Sequence, residues 1–290
     1  MYQSVLLGAV TGLTFSFVAL GFVLTFITTK TLTFALGEFM AIAGFVALAL
    51  LSVSWIPTFV VFGVAILVPA LLGGVTYHVL VRPFAGGGGH DVRWLLTTVA
   101  LSFVLLNLLT NSRGARVQAL DMPSATGFAT LVGVTFSRQL LLIAVLAVLV
   151  VAAAAVILAK TSIGVKMRAV SEDPEMASLA GISPRAVAIG TWIAAMAVAG
   201  LVGVLWSSYA GLSPRMGLAL LIGAFAVAVI GGLTSVPGVL VGGLVYGITT
   251  YVTGYRFGAA WGDVAGLGLV VLVLVFRPQG LLGRHVEVKV

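Results

Sequence analysis

One carboxylate stands by itself in a long apolar stretch: Glu38, within TLTFALGEFMAIAGF (residues 31–45). A charged side chain deep in a membrane helix costs roughly 3 kcal/mol, so an acid at such a place points to function. Thr31, Thr33 and Gly37 precede it and read as the start of a helix partway into the membrane. Glu38 would then sit in the first turn, where the positive end of the helix dipole favours an anion. Two readings stand side by side: a structural cap near the cytoplasmic interface, or a residue that lines or gates a path. Phe34 and Gly37 flank it and share the second reading.

A second polar set lies in LLTTVALSFVLLNLL (95–109). Thr98 and Ser102 are four residues apart, about 40° around a helix, and therefore share a face. Asn107 and Asn111 form a similar pair further along. Such groups either hydrogen-bond a small polar solute or hold helices together. The candidate lining of a path is thus Phe34, Gly37, Glu38, Thr98, Ser102 and Asn107.

Chemistry of other kinds finds no support. Three histidines, His78, His90 and His285, are scattered, and the absence of cysteine excludes disulfides and thiolate metal sites. No catalytic cluster and no phosphate-binding Gly-x-x-x-x-Gly-Lys-Ser/Thr loop occurs, so no metal or nucleotide is expected on this chain. The GGGG run at 86–89 lacks the following Lys-Ser or Lys-Thr and reads as a flexible linker.

The remaining unusual segment is KMRAVSEDPEMASLAGISP (166–184), which holds three of the eight acidic residues. Asp173-Pro174-Glu175 is a strong helix start, with an N-cap acid, proline in the first position and a first-turn glutamate. Gly181 suits the C-terminal cap, which predicts a helix of about two turns over roughly 174–180. It would expose Met176 and Leu179 beside charges, as a docking element does.

The elements that position these residues are membrane helices. Hydrophobic residues make up 61% of the chain and charged ones 8%, with a mean hydropathy of +1.22. Soluble domains carry about 25% charged residues, so this composition excludes one. LLLIAVLAVLVVAAAAVILA (140–159) is apolar on every face, unlike the alternating strands of a membrane barrel. Spans are expected near 4–28, 36–54, 57–81, 94–111, 139–159, 187–209, 217–235, 237–254 and 262–276. That is eight or nine transmembrane or re-entrant helices in a single transmembrane domain over 1–290, an all-α polytopic bundle. The first is expected to be a retained helix and not a cleaved signal.

Lys30, Arg82, Arg93, Lys160, Lys166, Arg168, Arg185, Arg277, Arg284 and Lys289 fall in one set of alternating loops. Arg113, Arg116, Arg138, Arg215 and Arg256 fall in the other. The larger set marks the cytoplasmic side. Segment 160–186 is then cytoplasmic and 112–138 external. The net charge of +7 reflects topology and implies no nucleic acid. Among 36 glycines, GAVTG (8–12), GVLVG (238–242), GLVYG (243–247) and GDVAG (262–266) fit small-xxx-small spacing. They serve tight packing within the chain or a face for a second membrane subunit.

RAVSEDPEMASLAGISPRAVAIGTWIAAMAVAGLVGVL (168–205) resembles the cytoplasmic loop and following helix of permeases in ABC importers for branched-chain amino acids. FALGEFMAIAGF (34–45), LLTTVALSFVLLNLL (95–109), GGLTSVPGVLVGGLVYG (231–247) and RPQGLLG (277–283) extend the likeness along nearly the whole chain. Glu175, Ala177 and Gly181 resemble the Glu-x-Ala-x-x-x-Gly core of the importer coupling motif. The resemblance implies that Asp173, Glu175, Met176, Ala177, Leu179 and Gly181 couple the permease to a cytoplasmic ATPase. It also implies a second homologous permease, two ABC ATPase subunits that use ATP and Mg, and a periplasmic or lipid-anchored binding protein. The setting would be the bilayer of the bacterial inner membrane. One departure stands out: the family commonly has histidine before the Gly-Glu pair, and here the residue is Leu36. Related permeases carry urea or short amides, which stay open as substrates. An ion-coupled carrier using Glu38, or a passive channel, is the alternative from another class; neither needs the 174–181 helix.

Overall fold

The computed structural model describes residues 1–53, 55–84, 93–120, 127–131 and 134–283. The GGGG run, His90, Arg284, His285 and Lys289 lie outside them. The described residues form eleven α-helices: α1 (Tyr2–Thr29), α2 (Leu36–Leu51), α3 (Thr58–Thr76), α4 (Arg93–Arg113), α5 (Arg138–Lys160), α6 (Ser162–Glu172), α7 (Pro174–Leu179), α8 (Pro184–Ala210), α9 (Met216–Gly231), α10 (Val236–Phe257) and α11 (Ala259–Phe276). Seven spans are long and apolar enough to cross a membrane, and α2 and α9 are shorter apolar helices. All nine expected spans are therefore present as helices.

Two elements were not anticipated. Segment 112–138 contains a hairpin of β1 (Phe128–Leu131) and β2 (Val134–Ser137), paired antiparallel with Phe128 opposite Ser137. Segment 160–186 contains α6, whose Gly164, Met167 and Val170 are buried while Lys166 and Arg168 are exposed. Arg168 donates to the Leu158 carbonyl at 2.9 Å and so closes the end of α5.

The chain packs as two compact units. One comprises residues 24–125 and 157–221. Its centre is α8 against α2 and α3, where glycine lets backbones touch. Gly203 lies against the Met40 backbone, and Gly200 accepts the ring of Pro69 from within α3. Ala43, Ala47, Val61, Ala65, Leu120 and Val204 form a core of small and branched side chains. Trp192 is fully buried, and its indole N–H donates to Thr29 Oγ1 at 3.4 Å. After Thr76 the third span continues through a wide π-helical turn, Tyr77–Val81, which carries His78 to within 3.2 Å of the Arg185 guanidinium.

The other unit comprises residues 1–23, 126–156 and 222–290. Here the expected small-residue spacing proves to be a seam inside the chain. A Cβ on Gly8 would sit 2.5 Å from the Gly247 carbonyl oxygen, and one on Gly12 would meet the Gly243 carbonyl. Ser16 Oγ donates to the Val239 carbonyl at 2.9 Å along the same line. Gly262 and Gly266 similarly admit Thr250 and Tyr246 of α10 to α11. The RPQGLLG tail folds back on α9: Leu281 and Leu282 donate backbone N–H groups to the Ile230 and Gly231 carbonyls, at 2.8 and 3.1 Å.

Candidate functional site

Segment 173–183 is built almost wholly from local rules. Asp173 holds an extended backbone, and its Oδ1 accepts from the N–H groups of Glu175 and Met176 at 2.9 and 3.0 Å. Pro174 takes the first helical position, where its missing N–H is no loss. At the other end Gly181 adopts φ +78°. The Ile182 N–H then reaches the Ala177 carbonyl, and the Gly181 N–H the Ser178 carbonyl, each at 3.0 Å. That pair of bonds is a complete Schellman closure. Ser183 immediately caps α8, accepting from the Ala186 N–H at 3.3 Å.

A six-residue helix closed at both ends is rigid without a partner, and its side chains are sorted. Ala177 is buried against the chain's own fold and supports the helix from beneath. Met176 is 64% and Leu179 82% exposed, with Asp173 and Glu175 exposed beside them. Two apolar side chains held out at a fixed angle, rimmed by acids, suit a groove on a partner. Of the six residues assigned to coupling, five are accessible or shape the turn, and Ala177 acts from inside.

The membrane set divides differently. Ala35 stands at the N-cap of α2 and offers no side-chain acceptor. Glu38 falls in the first turn, as expected, and is only 6% exposed. Its carboxyl group lies near its own backbone N–H and the Ser102 hydroxyl, while Oε2 has no protein partner. Thr33 Oγ1, fully buried just before α2, also has none. Thr31 instead pairs with Thr29, hydroxyl to hydroxyl at 2.6 Å.

Of α4 only Thr98 is buried, and its hydroxyl returns to the Leu95 carbonyl at 3.0 Å. Ser102, one turn on, faces Glu38. Asn107 is exposed and bonds back to the Phe103 carbonyl at 3.0 Å, away from this cluster. Phe34 is half-buried in the turn that leads into α2.

Gly37 has a partner that sequence reading missed. A Cβ on Gly37 would lie 2.7 Å from the Gly217 carbonyl carbon, and one on Gly217 would run into the Gly37 backbone. Each glycine is the second residue of its helix, and α2 and α9 are both 16 residues long. The approaches match too: Leu32-Thr33-Phe34-Ala35-Leu36-Gly37 and Leu212-Ser213-Pro214-Arg215-Met216-Gly217 each turn just before the helix. Each follows one of the two longest helices, α1 of 28 residues and α8 of 27. That repeated order was a readable signal for Gly217. The segment after α4 straps the second approach, since Gln118 and Leu212 exchange backbone hydrogen bonds of 2.8 and 2.9 Å.

Known proteins resemble the chain over the same extent. A family profile described as "Branched-chain amino acid transport system / permease component" matches residues 4–276. The high-affinity branched-chain amino acid transport system permease protein BraD of Pseudomonas aeruginosa is 30% identical, covering 97% of this chain and 95% of that one. The corresponding protein LivH of Salmonella typhimurium is 28% identical over 97% and 95%. A probable branched-chain amino acid transport permease protein, LivH of Methanocaldococcus jannaschii, is 29% identical over 91% and 87%. No solved structure matches significantly. With its apolar helices and a profile match along nearly its whole length, the chain is a multi-pass membrane protein that belongs to the branched-chain amino acid transport permease family.

Proposed function

We propose that this chain is the membrane-spanning permease subunit of an ATP-driven ABC importer in the bacterial inner membrane, moving a branched-chain amino acid or a similar small polar solute. It pairs with a second, homologous permease. Two cytoplasmic ATPase subunits bind and hydrolyse ATP with Mg, and a periplasmic or lipid-anchored binding protein delivers the solute. The observation that carries this reading is α7, a doubly capped surface helix that holds Met176 and Leu179 exposed. A carrier that works alone has no use for such a helix; a permease driven by another subunit's closure does. The supporting names are those of the relatives, each a permease protein of a branched-chain amino acid transport system.

The test is leucine uptake by the complete complex in liposomes. The reading predicts uptake that requires ATP on the cytoplasmic side and is unchanged by a protonophore. Uptake by the chain alone, abolished by the protonophore, would replace it with the ion-coupled carrier.

A further inference from the structure

The contact between Gly37 and Gly217 constrains where α2 and α9 begin. By the distribution of Lys and Arg, α2 starts from the side of Lys30 and α9 from the opposite side, that of Arg215. Helices that enter from opposite faces and touch at their second residues must both begin inside the membrane. Their length agrees: 16 residues span about 24 Å, less than the ~30 Å hydrocarbon core. Broken helices meeting near the midplane are a recurrent way for transporters to build a solute site from helix ends.

The polar groups at this meeting point are unequal. The third residue of α2 is Glu38, whereas the third of α9 is Leu218. Glu38 is buried beside the Ser102 hydroxyl, and its Oε2 has no protein donor. Thr33, in the segment just before α2, has a second unpartnered oxygen and is also fully buried. A carboxylate offers about four acceptor positions, and a hydroxyl two. The unpartnered side-chain oxygens, Glu38 Oε2 and Thr33 Oγ1, call for a donor, and the Glu38 carboxylate favours one that carries positive charge, while the first-turn N–H groups of the two helices are left for an acceptor on the same ligand.

We propose that Glu38, positioned by Ser102 at the α2–α9 junction, receives the ammonium group of an amino acid during its passage through the permease. This rests on the importer reading above, and it favours amino acids over urea and short amides within that reading. An ammonium supplies three N–H donors and neutralises the carboxylate, whereas an amide supplies donors without charge.

The experiment uses the complete importer in liposomes, with radiolabelled leucine outside and ATP available to the ATPases. The quantity read is leucine imported per ATP hydrolysed. Glu38→Gln keeps the shape and one acceptor oxygen but loses the charge, and should lower that ratio at least tenfold while ATP hydrolysis continues. Glu38→Asp should keep it within about threefold, and Ser102→Ala should lower it severalfold by releasing the carboxylate. A Glu38→Gln ratio within twofold of wild type would overturn the proposal and leave Glu38 a helix-start residue. If Glu38→Gln does not accumulate in membranes, an unchanged ratio in Ser102→Ala overturns it equally. Absence of ATP-driven leucine uptake by the wild-type complex would overturn the importer reading for amino acids, and this inference with it.

Discussion

At Pro174 a helix starts behind an aspartate whose carboxylate takes two backbone N–H groups; at Leu36 one starts behind an alanine that can take none. The first helix is six residues long and lies on the surface, and the second is 16 residues long and largely buried. A short helix in water is marginal, so α7 depends on caps within its own sequence. A helix in hydrocarbon holds its backbone bonds because no water competes for them. Its start can therefore be set by a distant segment, here the Gly217 backbone. Local closure suits a part that must be presented ready-made to a partner. Tertiary closure suits a part whose position depends on two helices staying together or moving apart.

The comparison breaks most severely at Gly37. Gly37→Val places side-chain carbon where the Gly217 backbone stands, and backbone has no rotamer with which to yield. Overpacking of this kind costs about 3 kcal/mol or more. Folded chain recovered as a monodisperse peak in mild detergent should fall below a tenth of wild type. Recovery near wild-type levels would mean that the helix starts are not held together.

Leu179→Asp should have the opposite profile. The side chain is 82% exposed, so membrane insertion and thermal stability of the isolated chain should be unchanged. Binding of the ATPases, measured by their co-elution, should drop by tenfold or more, since an apolar anchor becomes a charge beside Asp173 and Glu175. Equal co-elution would remove α7 from the docking surface.

Asp173→Ala removes both cap bonds, a loss of about 0.5–2 kcal/mol, and should weaken ATPase binding severalfold. Asp173→Asn, which keeps an acceptor oxygen, should restore most of it. Identical behaviour of the two variants would show that the charge, and not the cap, matters.

The smallest effects come from backbone handedness. Lys30, just beyond α1, holds φ +54°, and Gly181, just beyond α7, holds φ +78°. A left-handed conformation costs a side-chain-bearing residue roughly 1–2 kcal/mol. Lys30→Gly should therefore raise the melting temperature slightly, and Gly181→Lys should weaken ATPase binding to a similar small extent. The reverse signs would mean that side-chain contacts outweigh the backbone at these positions.

What could be read from sequence follows the same division. The nine apolar helices, the Asp173 start, the Gly181 stop and the first-turn place of Glu38 are all local patterns, and each stands where it was expected. The Gly8–Gly247 and Gly12–Gly243 contacts were legible as spacing but not as partners, because small-xxx-small does not say what approaches it. The Gly37–Gly217 contact joins segments far apart in the chain, and only the repeated Leu-Thr/Ser approach hinted at it. Helix α6 was hidden because its lysine and arginine made the stretch look like solvated loop, while its buried stripe is only Gly164, Met167 and Val170. The hairpin was hidden because four-residue strands are too short for alternation to register. Asn107 looked like a path residue by its amide, yet faces away from Glu38 and Ser102 and satisfies itself on its own helix.

The central claim is that α7 faces the cytoplasm and touches an ATPase, and a single cysteine tests both parts at once. The native chain has none, so Leu179→Cys introduces a unique thiol on this subunit. In inside-out vesicles carrying the complete complex, a short bifunctional maleimide should link position 179 to an ATPase subunit, and ATP should change the yield. A membrane-impermeant maleimide applied to intact cells should leave the same thiol unlabelled. Labelling from outside, with no link to an ATPase from inside, would contradict the account.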